Sequence, residues 1–225
     1  MRIKNLLILV VVLFVISCKK NSTGGVTPQQ QDTYLTTSAG STWNYHEVDS
    51  SGSTPVNKDY VLISSSKDTV VNTRSYHVFN VSTGGSQYLT LSGNDYYQYD
   101  SLPAGSGNSD FEQLYLKDNV NVGTSWSQSS NVTIQGVTVP ITLTYKISQK
   151  GISRTVNSIN YNNVTVVSTT ISSALIPAAS LTSSINSYYA PKYGLIENAT
   201  LINLNYGGIT ENVNTEIKLA SATLL

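Results

Sequence analysis

Apolar and polar residues alternate with period two along much of the chain. From Ile141 to Ile147 the apolar Ile141, Leu143, Tyr145 and Ile147 share one face, and Thr142, Thr144 and Lys146 take the other. Val213, Thr215, Ile217 and Leu219 alternate in the same way against Asn214, Glu216 and Lys218. Further strands are predicted over 42–49, 59–65, 74–82, 87–92, 95–100, 111–117, 132–139, 163–172 and 184–190. Between them stand turn-forming runs such as Ser50-Ser51-Gly52-Ser53, Gly84-Gly85, Ser92-Gly93-Asn94 and Gly207-Gly208. A short helix is expected only within 174–187. The pattern predicts an all-β chain, an antiparallel β-sandwich or curved half-barrel with few or no helices.

The pattern also repeats. Gly40-Ser41-Thr42-Trp43 is echoed by Gly123-Thr124-Ser125-Trp126, which together hold both tryptophans. Tyr60-Val61-Leu62-Ile63-Ser64 is echoed by Tyr145-Lys146-Ile147-Ser148, and Tyr76–Ser82 by Tyr161–Ser168. Landmarks in one order at nearly one spacing predict two similar halves, about 40–117 and 123–222. A repeated strand set buries one face most readily against its own copy. Trp43 and Trp126 are therefore expected to pack into the core at equivalent positions.

The N-terminus breaks this pattern. Arg2 and Lys4 precede an unbroken apolar run from Leu6 to Ile16. As a helix that run is only about 16 Å long, roughly half a bilayer core, which fits a secretory signal and not a span. Residues 18–33, with Gly24-Gly25, Pro28 and Gln29-Gln30-Gln31, read as a flexible tether ahead of a β domain over 34–225. Val15-Ile16-Ser17-Cys18 resembles the bacterial lipobox. That resemblance implies cleavage after residue 17, a lipid on the Cys18 thiol and a membrane partner through the anchor. Lys19 in place of Asp, and the absence of an acidic cluster, favour the periplasmic leaflet of the outer membrane.

Composition narrows the functions. Removing residues 1–17 leaves eleven basic against thirteen acidic residues, with no basic cluster to attract nucleic acid. Ser (32), Thr (25) and Asn (21) dominate, as uncharged side chains facing water from strands would. Cys18 is the only cysteine, so an internal disulfide and a thiolate metal cluster are excluded. His46 and His77 show no ligand spacing, and no cofactor or metal is expected. Two histidines and no Gly-x-Ser-x-Gly elbow leave little for a Ser-His-Asp triad. Asp110 and Glu112, about 7 Å apart on one strand face, are the acid pair a glycan hydrolase would need. Asp95, Tyr97 and Tyr99 share a face of the Tyr-rich segment 95–100 and form a candidate ligand-binding strip, with cross-strand pairing as the structural alternative.

Tyr34–Tyr45, containing Gly40-Ser41-Thr42-Trp43-Asn44-Tyr45, resembles the opening of many Bacteroidetes lipoproteins, with its Gly-x-x-Trp-x-Tyr signature. Tyr188-Tyr189-Ala190-Pro191-Lys192-Tyr193-Gly194-Leu195-Ile196 resembles their later landmark. Asp68-Thr69-Val70 and Asp100-Ser101-Leu102 resemble the O-glycosylation tripeptide of that phylum. The resemblance implies an envelope address and a β fold and carries no catalytic residue. The expected function is a non-enzymatic envelope lipoprotein binding a glycan, a lipid or a protein partner. A glycan hydrolase and a purely structural component are the alternatives.

Overall fold

A computed structural model describes residues 32–100, 111–134 and 136–225. Twelve strands form one antiparallel sheet: β1 (Thr42–Asp49), β2 (Val56–Val71), β3 (Arg74–Val81), β4 (Ser86–Ser92), β5 (Asp95–Asp100), β6 (Phe111–Lys117), β7 (Ser125–Ile134), β8 (Val137–Val156), β9 (Ile159–Ser172), β10 (Leu181–Ala190), β11 (Gly194–Tyr206) and β12 (Ile209–Thr223). Their order is β6-β5-β4-β3-β2-β1-β12-β11-β10-β9-β8-β7, two six-strand meanders joined where β1 pairs β12. The sheet curls into a nearly closed barrel, so the all-β half-barrel expectation holds and a two-sheet sandwich does not form.

Two elements differ from expectation. No helix forms within 174–187: Ser180 N–H donates to the Pro177 carbonyl in a turn, and β10 then begins at Leu181. Leu181, Ser183 and Ile185 alternate with Thr182, Ser184 and Asn186 along an extended strand, and the Ser183 hydroxyl accepts from the Ile171 N–H of β9 at 2.6 Å. The predicted strand 132–139 is instead the tip of a hairpin. Gly136 has φ 82°, and Ile134 pairs with Val137 across the turn.

The halves share local geometry. Gly40 and Gly123 (φ 88° and 93°) each donate to a carbonyl on the next strand, Ser64 at 2.9 Å and Ile147 at 2.8 Å. Those residues donate back to Ser41 and Thr124. Trp43 and Trp126 are each the second residue of their strand, opposite Leu62 and Tyr145. The structure thus sets Leu62, and not Tyr60, against Tyr145. Trp43 is buried; Trp126 is half-buried and stacks on Tyr145 at 5.4 Å.

The long hairpins β2–β3 and β8–β9 turn at Asn72-Thr73 and Asn157-Ser158, where both central residues have positive φ as a type I′ turn requires. Each is bent by bulges, at Ser64/Asp68 and between Ile147 and Arg154. Each is fastened by an arginine. Arg74 donates to Glu112 at 2.9 Å with its guanidinium 3.7 Å over the Tyr97 ring, and Arg154 donates twice to Glu197 at 2.7 Å with its guanidinium 4.2 Å over Tyr188. Val156, Tyr161 and Val164 of the second hairpin join Ile196 and Leu219 in the main core.

Candidate functional site

The residues leading into β1 do not trail free. Thr33 accepts from Lys192 N–H at 2.7 Å, Thr36 Oγ1 donates to the Lys192 carbonyl at 2.8 Å, and Tyr34, 1% exposed, bonds Thr165 Oγ1 through its hydroxyl at 2.9 Å. The Tyr34 N–H donates to Tyr96 Oη at 3.1 Å. Residues 33–36 are therefore a strap across the barrel.

Beneath the strap lies a cavity of about 240 Å³. Period-two alternation places Trp43 and Tyr45 of β1 beside Tyr60 and Leu62 of β2 on one wall. Phe79, Gln87, Leu89 and Gln98 continue that wall over β3–β5 and Ile217 extends it on β12, beside β1; Tyr115, Tyr189, Leu195 and the strap residues Tyr34–Thr36 complete the lining. Tyr45 and Tyr60 stack at 5.3 Å, and Trp43 meets Phe79 edge-on at 5.7 Å. Among the described residues, no Asp, Glu, Lys, Arg or His lines the space. Burial raises the phenols of Tyr45, Tyr60, Tyr115 and Tyr189, that of Tyr60 to about 12. The lining is thus neutral at physiological pH, with hydroxyls held as donors. One polar atom is left over: Trp43 Nε1 is buried without a hydrogen-bond partner among the described residues.

The candidate strip on β5 is engaged internally. Tyr97 lies under the Arg74 guanidinium, Tyr99 packs on Tyr76 and Tyr88, and Asp95 accepts from Lys117 Nζ at 2.9 and 3.1 Å. A bulge between Tyr96 and Tyr97 shifts their register against β6, and Tyr96 is fully buried. Of the acid pair, Glu112 is bound by Arg74 and by the Tyr76 hydroxyl. Asp110 lies outside the described residues, as do Cys18, the signal and tether through residue 31, and Ser101-Leu102.

His77 makes an arrangement that the sequence did not suggest. Asp68 Oδ1 lies 2.7 Å from His77 Nδ1, and Ser64 Oγ lies 2.9 Å from His77 Nε2, the connectivity of a serine-hydrolase triad. Its surroundings oppose catalysis. Ser64 is 2% exposed, its hydroxyl donates to the Thr37 carbonyl at 3.0 Å, and its N–H is taken by the Ser41 carbonyl. An acyl group would find no room and no oxyanion donor from that N–H. The Asp68–His77–Ser64–Thr37 chain instead anchors the strap's end to β2. His46 meets Asp59 at 2.7 Å on the surface, and no metal-binding cluster of three or more His, Cys, Asp or Glu occurs among the described residues.

The cavity escaped the sequence reading because its walls come from strands far apart in the chain. The one available signal was the aromatic alternation Trp43-x-Tyr45 paired with Tyr60-x-Leu62.

No family model matches the chain, and no curated protein does. Among solved structures, the chain is similar to a candidate lipoprotein of Parabacteroides distasonis ATCC 8503, with a TM-score of 0.51 and 10% identity over 87% of this chain and all of that one. A candidate exported protein with a YmcC-like fold from Bacteroides fragilis NCTC 9343 aligns at TM-score 0.47 and 9% identity, covering 85% and 99% of the two chains. The hypothetical lipoprotein YmcC of Escherichia coli K12 aligns at 0.37 and 10%, covering 82% and 85%. The first of these shows a shared fold.

Proposed function

We propose that the chain is a non-enzymatic envelope lipoprotein, held to the outer membrane through an acylated Cys18, whose barrel binds a small uncharged ligand. The observation that carries the ligand is the aromatic cavity, to which no charged side chain among the described residues contributes. Its 240 Å³ is below the ~300 Å³ at which ligand pockets usually begin, so the occupant is small. The anchor is supported by the lipobox resemblance of Val15–Cys18. Stable attachment takes two or more acyl chains, as modification of both the thiol and the new amino terminus would supply. The matched glycine turns and hairpins favour descent of the two halves from one duplicated unit.

Native mass spectrometry of the protein extracted from its own membrane tests both parts, with a soluble Cys18→Ala chain lacking residues 1–17 as reference. Expected are an acyl mass on Cys18 and a non-covalent adduct of small-molecule size. An unmodified Cys18 would remove the anchor; acylated protein without any adduct would remove the ligand.

A further inference from the structure

We infer that His77 is a proton-operated latch on the strap: as an imidazolium it holds Thr37 through Ser64, and on losing a proton it lets that end go. The hydrogen count leads there. A serine hydroxyl has one hydrogen, and that of Ser64 is spent on the Thr37 carbonyl at 3.0 Å. Ser64 Oγ can then only accept from His77 Nε2, 2.9 Å away, so Nε2 carries a hydrogen. On the other side of the ring an ionised carboxylate has nothing to donate. The 2.7 Å contact of Nδ1 with Asp68 Oδ1 therefore needs a hydrogen on Nδ1 as well. Both ring nitrogens donate only in the imidazolium, so the three bonds coexist only while His77 is charged.

A neutral ring must give one of them up. Asp68 keeps the Nδ1 hydrogen, Nε2 becomes an acceptor, and the Ser64 hydroxyl turns to it. The carbonyl of Thr37, an exposed residue, is left to water. The loss is local. Ser64 stays bonded through its N–H to Ser41 and through its carbonyl to Gly40, while Thr33, Tyr34 and Thr36 keep their own bonds to Lys192 and Thr165. From β2 the titratable group facing the ring is Asp68, with Lys67 exposed beside it in the bulge. β4 sets Leu89 opposite His77, β3 packs Phe79 edge-on at 5.0 Å, and Arg74 of β3 is taken by Glu112. The His77 side chain is 13% exposed and that of Asp68 65%, which shelters the ring and leaves its proton a route to water. Strap residues and Phe79 both line the cavity, so the latch sets how freely that space opens. It is fastened in mildly acidic solution and eased as pH rises, whatever the cavity holds.

The soluble Cys18→Ala chain, titrated by NMR over about pH 5 to 9, spans the ordinary range of imidazole. Long-range nitrogen spectra report the hydrogen on each ring nitrogen, and His46, paired with Asp59 on the surface, is the internal control. At the acid end both His77 nitrogens are expected to carry hydrogen. The Thr37 carbonyl carbon is expected to shift with the midpoint of His77 and not with that of His46. Amide protection over residues 34–37, corrected for intrinsic rates, should fall about two- to tenfold across that midpoint, the worth of one hydrogen bond. Ser64→Ala cuts the link and leaves the ring: His77 should still titrate, while Thr37 and the strap no longer respond. A His77 ring holding a single hydrogen throughout would overturn the latch. So would a Thr37 carbonyl that ignores His77, or one that still follows it in Ser64→Ala.

Discussion

At Gly194 the absence of one carbon holds the strap in place. Its φ is 70°, and a Cβ there would sit 3.1 Å from the Tyr34 carbonyl oxygen. Gly194→Ala should therefore cost about 1–2 kcal/mol in backbone strain alone. It should also loosen residues 33–36, measured as faster amide exchange there and an earlier urea midpoint. Arg154 works through charge. Glu197 is 4% exposed, and its carboxylate is neutralised by the bidentate guanidinium. Arg154→Ala strands that carboxylate and should destabilise the fold by about 3 kcal/mol, the low end for a buried ion left alone, because the Arg154 side chain is itself 37% exposed. Arg74→Ala should cost less, since Glu112 keeps the Tyr76 hydroxyl and a third of its side chain faces solvent. Side chains acting within one strand pair were legible in the sequence, as with the packing of Trp43. His77 was not, because its Ser64 and Asp68 partners meet it only through the β2 bulge, which an alternating pattern does not encode.

The strands over 42–49, 95–100 and 111–117 emerged where the sequence placed them, as β1, β5 and β6. β7 did not, because Ser125-Trp126-Ser127-Gln128-Ser129-Ser130 has too few apolar residues to register as a period. Its composition follows from its position at the edge of the sheet, across from the other edge, β6. There the described contacts are made by side chains in place of a backbone ladder. Gln128 Oε1 accepts from Leu114 N–H at 2.8 Å, its Nε2 donates to the Glu112 carbonyl at 3.2 Å, and Trp126 Nε1 takes the Leu114 carbonyl. One glutamine amide thus stands in for a peptide group and covers an edge that would otherwise invite pairing with another chain. Gln128→Ala should leave Leu114 N–H open to solvent. Faster hydrogen exchange at that amide, with little change at β1–β12, is the expected result, together with a greater tendency to associate at high concentration.

For the barrel as a whole, burial raises the tyrosines, and the consequence has a definite sign. A phenol whose folded-state pKa lies above its unfolded value stabilises the fold fully below about pH 10 and loses that contribution as pH rises through the folded value. Tyr60, raised to about 12, and the likewise raised Tyr45, Tyr115 and Tyr189 place the loss in strongly alkaline solution. Alkaline titration should show exposed tyrosines ionising first, then cooperative unfolding together with the buried set. Near-ultraviolet absorbance of tyrosinate, followed alongside circular dichroism, checks this. All-β character was legible in the sequence because it needs only local alternation. Strand order and the cavity were not, because they depend on β1 meeting β12 across the length of the chain.

That meeting has a kinetic consequence. Of the eleven ladders among the described residues, ten join strands consecutive in sequence, and only β1–β12 closes a long loop, from Thr42 to Thr223. In an unfolded chain such a closure costs about 5 kcal/mol of entropy by the logarithmic loop law. The C-terminal residue already lies against the start of β1, with Leu225 N–H donating to Ser41 Oγ at 3.0 Å. A circular permutant running from β7 through β12, by a linker from Leu225 to the strap, and on through β1 to β6 would make every ladder local. It should refold faster than the natural order while building the same sheet.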